Sequence, residues 1–260
     1  FLIFGSGAAQ EMHRRWFESH IKKFNVNYKN RSDDFHGIGI AGPKSRDLLQ
    51  KIVREDVSNN NLKFRDSRRM FVAGVPAVIN RISFTGELGY EIYVAPHFQI
   101  KLFEEIMEAG KEFNIKPFGS RALMSMRLEK NWGAWTLDYR PDFTAKETGL
   151  DKFINWNKEF IGKESAEKDI CQNKLVPLMV ETNEIDVTYN EAVMKGDKSI
   201  GYITSGGFAH FVNKSVAFSY LNTKELNSKK GIQVEINGDL FNCAIIKEPL
   251  YDPSGQKMRS

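Results

Sequence analysis

Two carboxylates, Glu87 and Glu91, stand in the segment RISFTGELGYEIY at 81–93, and the two glycines of that segment, Gly86 and Gly89, flank Glu87. Glycine lets the backbone turn sharply. The segment therefore reads as two extended arms joined by a glycine-bracketed loop, with Glu87 on the loop and Glu91 on the returning strand. Side chains alternate between faces along a strand, so Glu91 shares a face with Gly89 and Tyr93, and space is left above the carboxylate where a flat ring could lie. A carboxylate accepts two parallel hydrogen bonds well, and a pterin- or guanine-like ring offers that pair through an amino group and an adjacent ring N–H. The plainer reading makes Glu91 a strand-face carboxylate paired with Arg81.

Other residues carry weaker signals. Arg127, Glu129 and Lys130 follow the apolar residues Ala122, Leu123, Met124 and Met126. They read either as helix-end charges outside a core stripe or, for Arg127, as the donor that anchors a buried carboxylate. Trp132, Trp135 and Tyr139 come next and could wall a ligand channel or cap the core. None of the five histidines stands in a motif with Ser or Cys that suggests a nucleophilic triad. His210 lies in the small-residue stretch TSGGFAHF at 204–211, expected to be a loop between strands. The turn GSGAAQ at 5–10 resembles a dinucleotide-binding turn, but Gln10 occupies its third key position and no acidic residue is clearly placed about twenty positions on. A plain strand-to-helix turn is the expectation there.

Composition narrows the classes. Apolar residues make up 41% of 260, and 37 Lys and Arg against 33 Asp and Glu leave +4 without a dominant basic block, so a nucleic-acid partner is not expected. The two cysteines, Cys171 and Cys243, have no Cys or His at zinc-ligand spacing, which points to reduced thiols, a reducing compartment and no metal. No apolar run is long enough for a membrane span and no secretory leader opens the chain, so a cytoplasmic location is expected. The first residue is Phe1, inside the apolar run FLIF, which reads as part of a buried strand and of a polypeptide cut within its fold.

The elements that must position these residues follow from periodicity. An amphipathic helix is expected over 11–23 with Met12, Trp16, Phe17 and Ile21 on its apolar side. A strand over 36–41 stops at Gly42-Pro43, and Pro43 starts a helix carrying Leu48, Leu49, Ile52 and Val53. Extended structure over 69–94 contains strands at 75–84 and 90–94. Pro96 opens a helix to 113 with Ile100, Phe103, Ile106 and Met107 as its stripe, and a second helix runs over 120–131. Beyond 169 the chain reads as short strands at 175–181, 191–194, 200–205, 215–220, 232–236 and 241–246, enough for a small barrel. Asn237-Gly238 marks a tight hairpin there. The expected class is α+β, with an α+β domain over 1–168 followed by a small C-terminal β-barrel over 169–260 across a polar run at 167–173.

Several motifs together resemble the aminomethyltransferase fold of the glycine-cleavage T-protein, in the version fused to dimethylglycine and sarcosine dehydrogenases. They are IAGPKSR at 40–46, RISFTGELGYE at 81–91, MRLEK at 126–130 with Ala134-Trp135, FIGKE at 160–164 and TSG at 204–206, in family order along the chain. The resemblance implies a tetrahydrofolate-binding α+β domain of aminomethyltransferase type, N-terminally incomplete, and a C-terminal barrel. It implies that Glu91 grips the pterin, with Ile92 and Tyr93 beside the ring. Phe84 matches a position that is commonly Tyr in relatives, so its ring can stack but the hydroxyl is absent. Lys152 aligns with another folate-contacting position, and Leu123 stands where the T-protein itself often has Arg, which favours the dehydrogenase-linked branch. The family's catalytic carboxylate belongs to a segment upstream of Phe1, so the resemblance names no catalytic residue within 1–260. It further implies a small-molecule N-methyl amine or iminium donor, and FAD in a dehydrogenase domain upstream or in another chain. A stand-alone aminomethyltransferase or demethylase, or a folate-binding module without transfer activity, are the alternatives.

Overall fold

The computed structural model describes residues 1–182, 185–227 and 231–260. The chain forms two compact units, one made of Phe1–Leu123 with Asp252–Ser260 and the other of Met124–Tyr251.

The first unit begins with a coil and helix α1 (Gln10–His20), followed by strand β1 (His36–Ala41) and helix α2 (Ser45–Ile52). Strands β2 (Ser67–Val72), β3 (Val75–Asn80) and β4 (Gly89–Val94) come next, then helix α3 (Gln99–Gly110). The sheet order is β1-β4-β3-β2, with every neighbour antiparallel. One face of it is dry: Ile40, Val72, Ile79, Tyr90, Ile92 and Val94 pack with Leu48 and Leu49 of α2 and Leu102 and Ile106 of α3. Burying each such aliphatic side chain contributes about 1.5–3 kcal/mol before chain entropy is counted. The β2–β3 turn is Ala73-Gly74 with φ of 49° and 75°, the two left-handed residues that a tight hairpin requires.

Helix α4 (Ser120–Glu129) runs from the first unit into the second. Short helices α5 (Ala145–Thr148) and α6 (Lys163–Glu167) precede strands β5 (Asn173–Val180), β6 (Ala192–Lys195), β7 (Lys198–Ala209), β8 (Lys214–Asn222), β9 (Ile232–Ile236) and β10 (Asp239–Ile245). These six close into a barrel in the order β10-β5-β8-β7-β6-β9, which removes the exposed edges of an open sheet. The Asn237-Gly238 turn, with φ of 53° and 92°, joins β9 to β10 as expected. The capping box of α5 pairs Thr144 with Glu147, whose other oxygen accepts from the Asn173 N–H at 2.9 Å and fastens α5 to β5. The chain returns to the first unit as the strap Asp252–Ser260, which contains helix α7 (Gln256–Arg259). No helix among the described residues is long and apolar enough to cross a membrane.

Four expectations are corrected. Residues 1–4 form no strand and are exposed, because a strand needs a hydrogen-bonding neighbour and the sheet ends at β1. Helix α3 turns Leu102 and Ile106 inward and leaves Ile100 and Phe103 exposed, because Leu102 and Ile106, four apart on one helix face, are the pair that packs into the sheet core. Strand β3 ends at Asn80 instead of residue 84, where Arg81 bonds the Asp66 carbonyl and Arg65 N–H and the chain leaves the sheet. Residues 204–209 are the end of β7 and not a loop: a Cβ at Gly206 would lie 2.2 Å from the Val187 carbonyl oxygen, so the small residue serves close backbone packing. The turn at 5–10 has no parallel βαβ unit behind it, since every strand pair among the described residues is antiparallel.

Candidate functional site

Strand β4 alternates as its sequence dictates, sending Tyr90, Ile92 and Val94 into the core and Glu91 and Tyr93 to the opposite face. There the Tyr93 hydroxyl donates to Glu91 Oε2 at 2.6 Å. Burial, reinforced by that hydrogen bond and the Glu91 charge, pushes the Tyr93 phenol up, so it stays protonated and remains a donor. The Glu91 carboxylate is thus held by one oxygen, and among the described residues no donor reaches Oε1.

The neighbouring strands clear the space around it. Register sets Gly37 opposite Tyr93 and Gly39 opposite Glu91 on β1, while Asn80 of β3 stands opposite Glu91 on the other side. A Cβ at Gly37 would lie 3.0 Å from the Tyr93 ring, so a side chain there would crowd it. A Cβ at Gly39 would meet nothing within 4 Å, which makes the floor beside Glu91 bare. Asn80 is buried and among the described residues its Oδ1 has no partner, an arrangement that costs free energy unless something supplies a donor. A carboxylate edge, an orphaned amide oxygen and a strip of glycine together fit a flat heterocycle with several N–H groups. The residues present therefore suit a pterin.

The expected site residues divide. Glu91 and Tyr93 lie together on this face, and the Phe4 ring packs on Tyr93 at 4.6 Å. Phe84 is half-buried on the loop 81–88 that feeds β4. Ile92 is corrected: strand alternation puts its side chain in the core at 0% exposure, so only its backbone follows the Glu91 face. Lys152 belongs to the second unit, in the 3-10 turn Asp151–Phe153, with its ammonium 5.3 Å from the Phe153 ring. Arg81 does not pair with Glu91. It is fully buried and donates to Asn59 Oδ1, the Leu62 carbonyl and the Ser260 main-chain oxygen.

The second unit carries a carboxylate that the sequence did not single out. Asp138 is fully buried and accepts from Arg127 Nη1 at 2.6 Å and the Ala134 N–H at 2.8 Å on one oxygen. Its other oxygen accepts from Thr204 Oγ1 at 2.5 Å and Ser205 Oγ at 2.6 Å. Arg127 does anchor a buried carboxylate, and the TSG stretch serves the same knot. The signal in the sequence was incomplete because Asp138 and its hydroxyl donors are 66 and 67 residues apart.

Comparison with known proteins agrees with this architecture. The family model of the GCVT N-terminal domain matches residues 1–158, and that of the glycine cleavage T-protein C-terminal barrel domain matches 173–252. Human mitochondrial dimethylglycine dehydrogenase is 36% identical over 257 residues, covering 96% of this chain, and the chain spans 29% of that protein's length. The aminomethyltransferase of Desulfitobacterium hafniense strain Y51 is 31% identical over 260 residues, 98% of this chain and 70% of the relative. The crystal structure of the glycine cleavage system aminomethyltransferase T from Bartonella henselae superimposes with a TM-score of 0.81 at 18% identity, over 95% of this chain and 68% of that one, which supports the fold. The chain belongs to the folate-dependent aminomethyltransferase family of the glycine cleavage T-protein.

Proposed function

We propose that this chain is the tetrahydrofolate-binding, one-carbon-accepting module of a dimethylglycine or sarcosine dehydrogenase-like enzyme. In this reading an FAD-dependent dehydrogenase domain, upstream or in another chain, oxidises an N-methyl amine, and tetrahydrofolate supplies the nitrogen that takes up the released carbon. The share of the chain is binding and orientation. Glu91 accepts the adjacent N–H groups of the pterin, Tyr93 fixes the carboxylate, and Asn80 accepts a further donor at the ring's edge. Phe84 offers a stacking surface, and Lys152 is a further folate contact carried by the family resemblance. We propose domain limits of 1–168 for the folate-binding part and 169–260 for the barrel. A reducing compartment suits the two free thiols, whether the cytoplasm expected from the sequence or a mitochondrion, as the names of the animal relatives state for them.

The observation that carries this reading is the half-open Glu91 carboxylate beside the unpartnered Asn80 oxygen and the bare Gly39 floor. Calorimetry with tetrahydrofolate on the wild type and on Glu91→Ala tests it. The variant should lose at least tenfold in affinity, about 1.4 kcal/mol. An affinity unchanged within about threefold removes the pterin role from Glu91.

A further inference from the structure

The strap Asp252–Ser260 folds back into the first unit after the barrel is complete, and its last eight residues, 253–260, lie beyond the match to the barrel family model, which ends at 252. It is built to stay in place. Asp252 caps α7 by accepting from the Gln256 and Lys257 N–H groups, and Met258 is buried. What it holds is specific. Arg46 Nη2 and Arg81 Nη2 both donate to the Ser260 main-chain oxygen, at 2.6 Å and 2.7 Å. Lys257 pairs with Glu87 at 3.6 Å. Arg81 and Glu87 stand near the two ends of the loop 81–88, the loop that carries Phe84 into β4.

The arginine end of this arrangement is under electrostatic demand. Arg81 is fully buried, it donates to Asn59 Oδ1, the Leu62 carbonyl and the Ser260 main-chain oxygen and to no side-chain carboxylate, and among the described residues its Nε has no partner. Burial pulls its guanidinium down from the usual range. Losing the Ser260 oxygen would strip a buried cation of one of three acceptors, so the strap is costly to release. Inside the loop, short hydroxyl contacts operate among the described residues: Gly86 N–H to Ser83 Oγ at 3.1 Å, Glu87 N–H to Thr85 Oγ1 at 3.2 Å, and the Ser83 and Thr85 hydroxyls to each other at 3.3 Å. These shape the loop without fixing it to the sheet. At its far end Leu88 is fastened, its carbonyl accepting from the Gly42 N–H at 2.8 Å and Ser45 Oγ at 3.1 Å.

We propose that the strap positions the ligand-facing loop 81–88, with Arg46, Arg81 and Lys257 as the positioning residues, and that it thereby sets the presentation of Phe84 to folate. The ligand in this statement rests on the folate reading above; the positioning does not. The strap contacts described above go to Arg46, Arg81 and Glu87, so its effect on affinity runs through the loop.

Hydrogen exchange of the amides at 82–88, with calorimetric titration of 5-formyltetrahydrofolate, tests this on the full 260-residue chain in the wild type, Arg46→Met, Lys257→Met and the charge exchange Glu87→Lys with Lys257→Glu. Arg46→Met should speed exchange in that segment about tenfold, and Lys257→Met about threefold, with parallel losses of affinity. The charge exchange should return both readouts to within about twofold of wild type, which a merely destabilised fold would not do. Should the wild type fail to bind 5-formyltetrahydrofolate, the folate reading falls, and the exchange data still decide the positioning role. Unchanged exchange at 82–88 in both single variants overturns the proposal, as does a general rise across the first unit that the charge exchange fails to reverse.

Discussion

Glu91 in the first unit and Asp138 in the second are both carboxylates placed by β-structure, and they sit in opposite conditions. Asp138 has four donors divided between its two oxygens and no exposure. Burial pulls the Arg127 guanidinium down, and Asp138 opposes that shift. Glu91 is half-buried, holds one donor, and faces glycine across the strand. A charge whose hydrogen-bonding capacity is filled by its own chain has nothing left for a ligand, so Asp138 is architecture. One left half-filled above a bare floor keeps capacity for a donor from outside the chain, which is the role proposed for Glu91.

The largest expected effect breaks the filled carboxylate. Asp138→Ala leaves Arg127 buried without its counter-charge and frees two hydroxyls, so it should cost about 3–5 kcal/mol of stability. The midpoint of denaturant unfolding reads this directly. Glu91→Ala removes one partly exposed hydrogen bond and should cost under about 1 kcal/mol. If the two variants lost equal stability, the distinction between architecture and receptor would not hold.

A smaller effect sharpens the receptor side. Gly39→Val adds a β-branched side chain to a strand at a position where its Cβ meets nothing within 4 Å. Folding should therefore change little, within about 0.5 kcal/mol, while the methyl groups occupy the floor beside Glu91 and weaken tetrahydrofolate binding several-fold. Gly37→Val makes the control, because its Cβ would crowd the Tyr93 ring at 3.0 Å and should disturb the apo fold as well. Thermal unfolding and titration calorimetry on the pair separate the two. Loss of stability in Gly39→Val with no loss of binding would place the ligand elsewhere.

Much of this was legible from the chain, and the boundary between what was and was not is physical. The period of two along GYEIYV was enough to put Glu91 and Tyr93 on one face, and the short β-rich runs after 169 foretold a small barrel of five or six strands, which closes with six. The same period turns Ile92 to the other face, although the family resemblance set it beside the ring. Asn80, Gly37 and Gly39 were not legible as site residues, because they come from two other strands and only register brings them opposite Glu91 and Tyr93. Asp138 was missed for the same reason at longer range. Hydrophobicity misled where coverage decides: residues 1–4, Trp16 and Phe103 have core-type side chains, yet the described structure leaves them exposed. Glycine misled at 206, where absence of a side chain serves close packing and not a turn.

Glu129 lies between the two extremes and gives the smallest and most discriminating effect. Like Asp138 it is buried, at 6% exposure, but among the described residues its side chain has a single donor, the Phe211 N–H at 2.6 Å on Oε1. Burial pushes its carboxyl up, against the Phe211 donor and the charge of His210, which pull it down. A raised carboxyl binds its proton more tightly in the folded state than in the unfolded one. Its contribution is therefore most favourable below the unfolded value of about 4.5 and is lost as pH rises through the folded value. Glu129→Gln keeps an acceptor for Phe211 and cannot ionise. The variant should match the wild type near pH 4 and exceed it modestly in unfolding midpoint at pH 7–8. A gap that is the same at both pH values would mean that burial does not govern Glu129, and that its charge is satisfied as fully as that of Asp138.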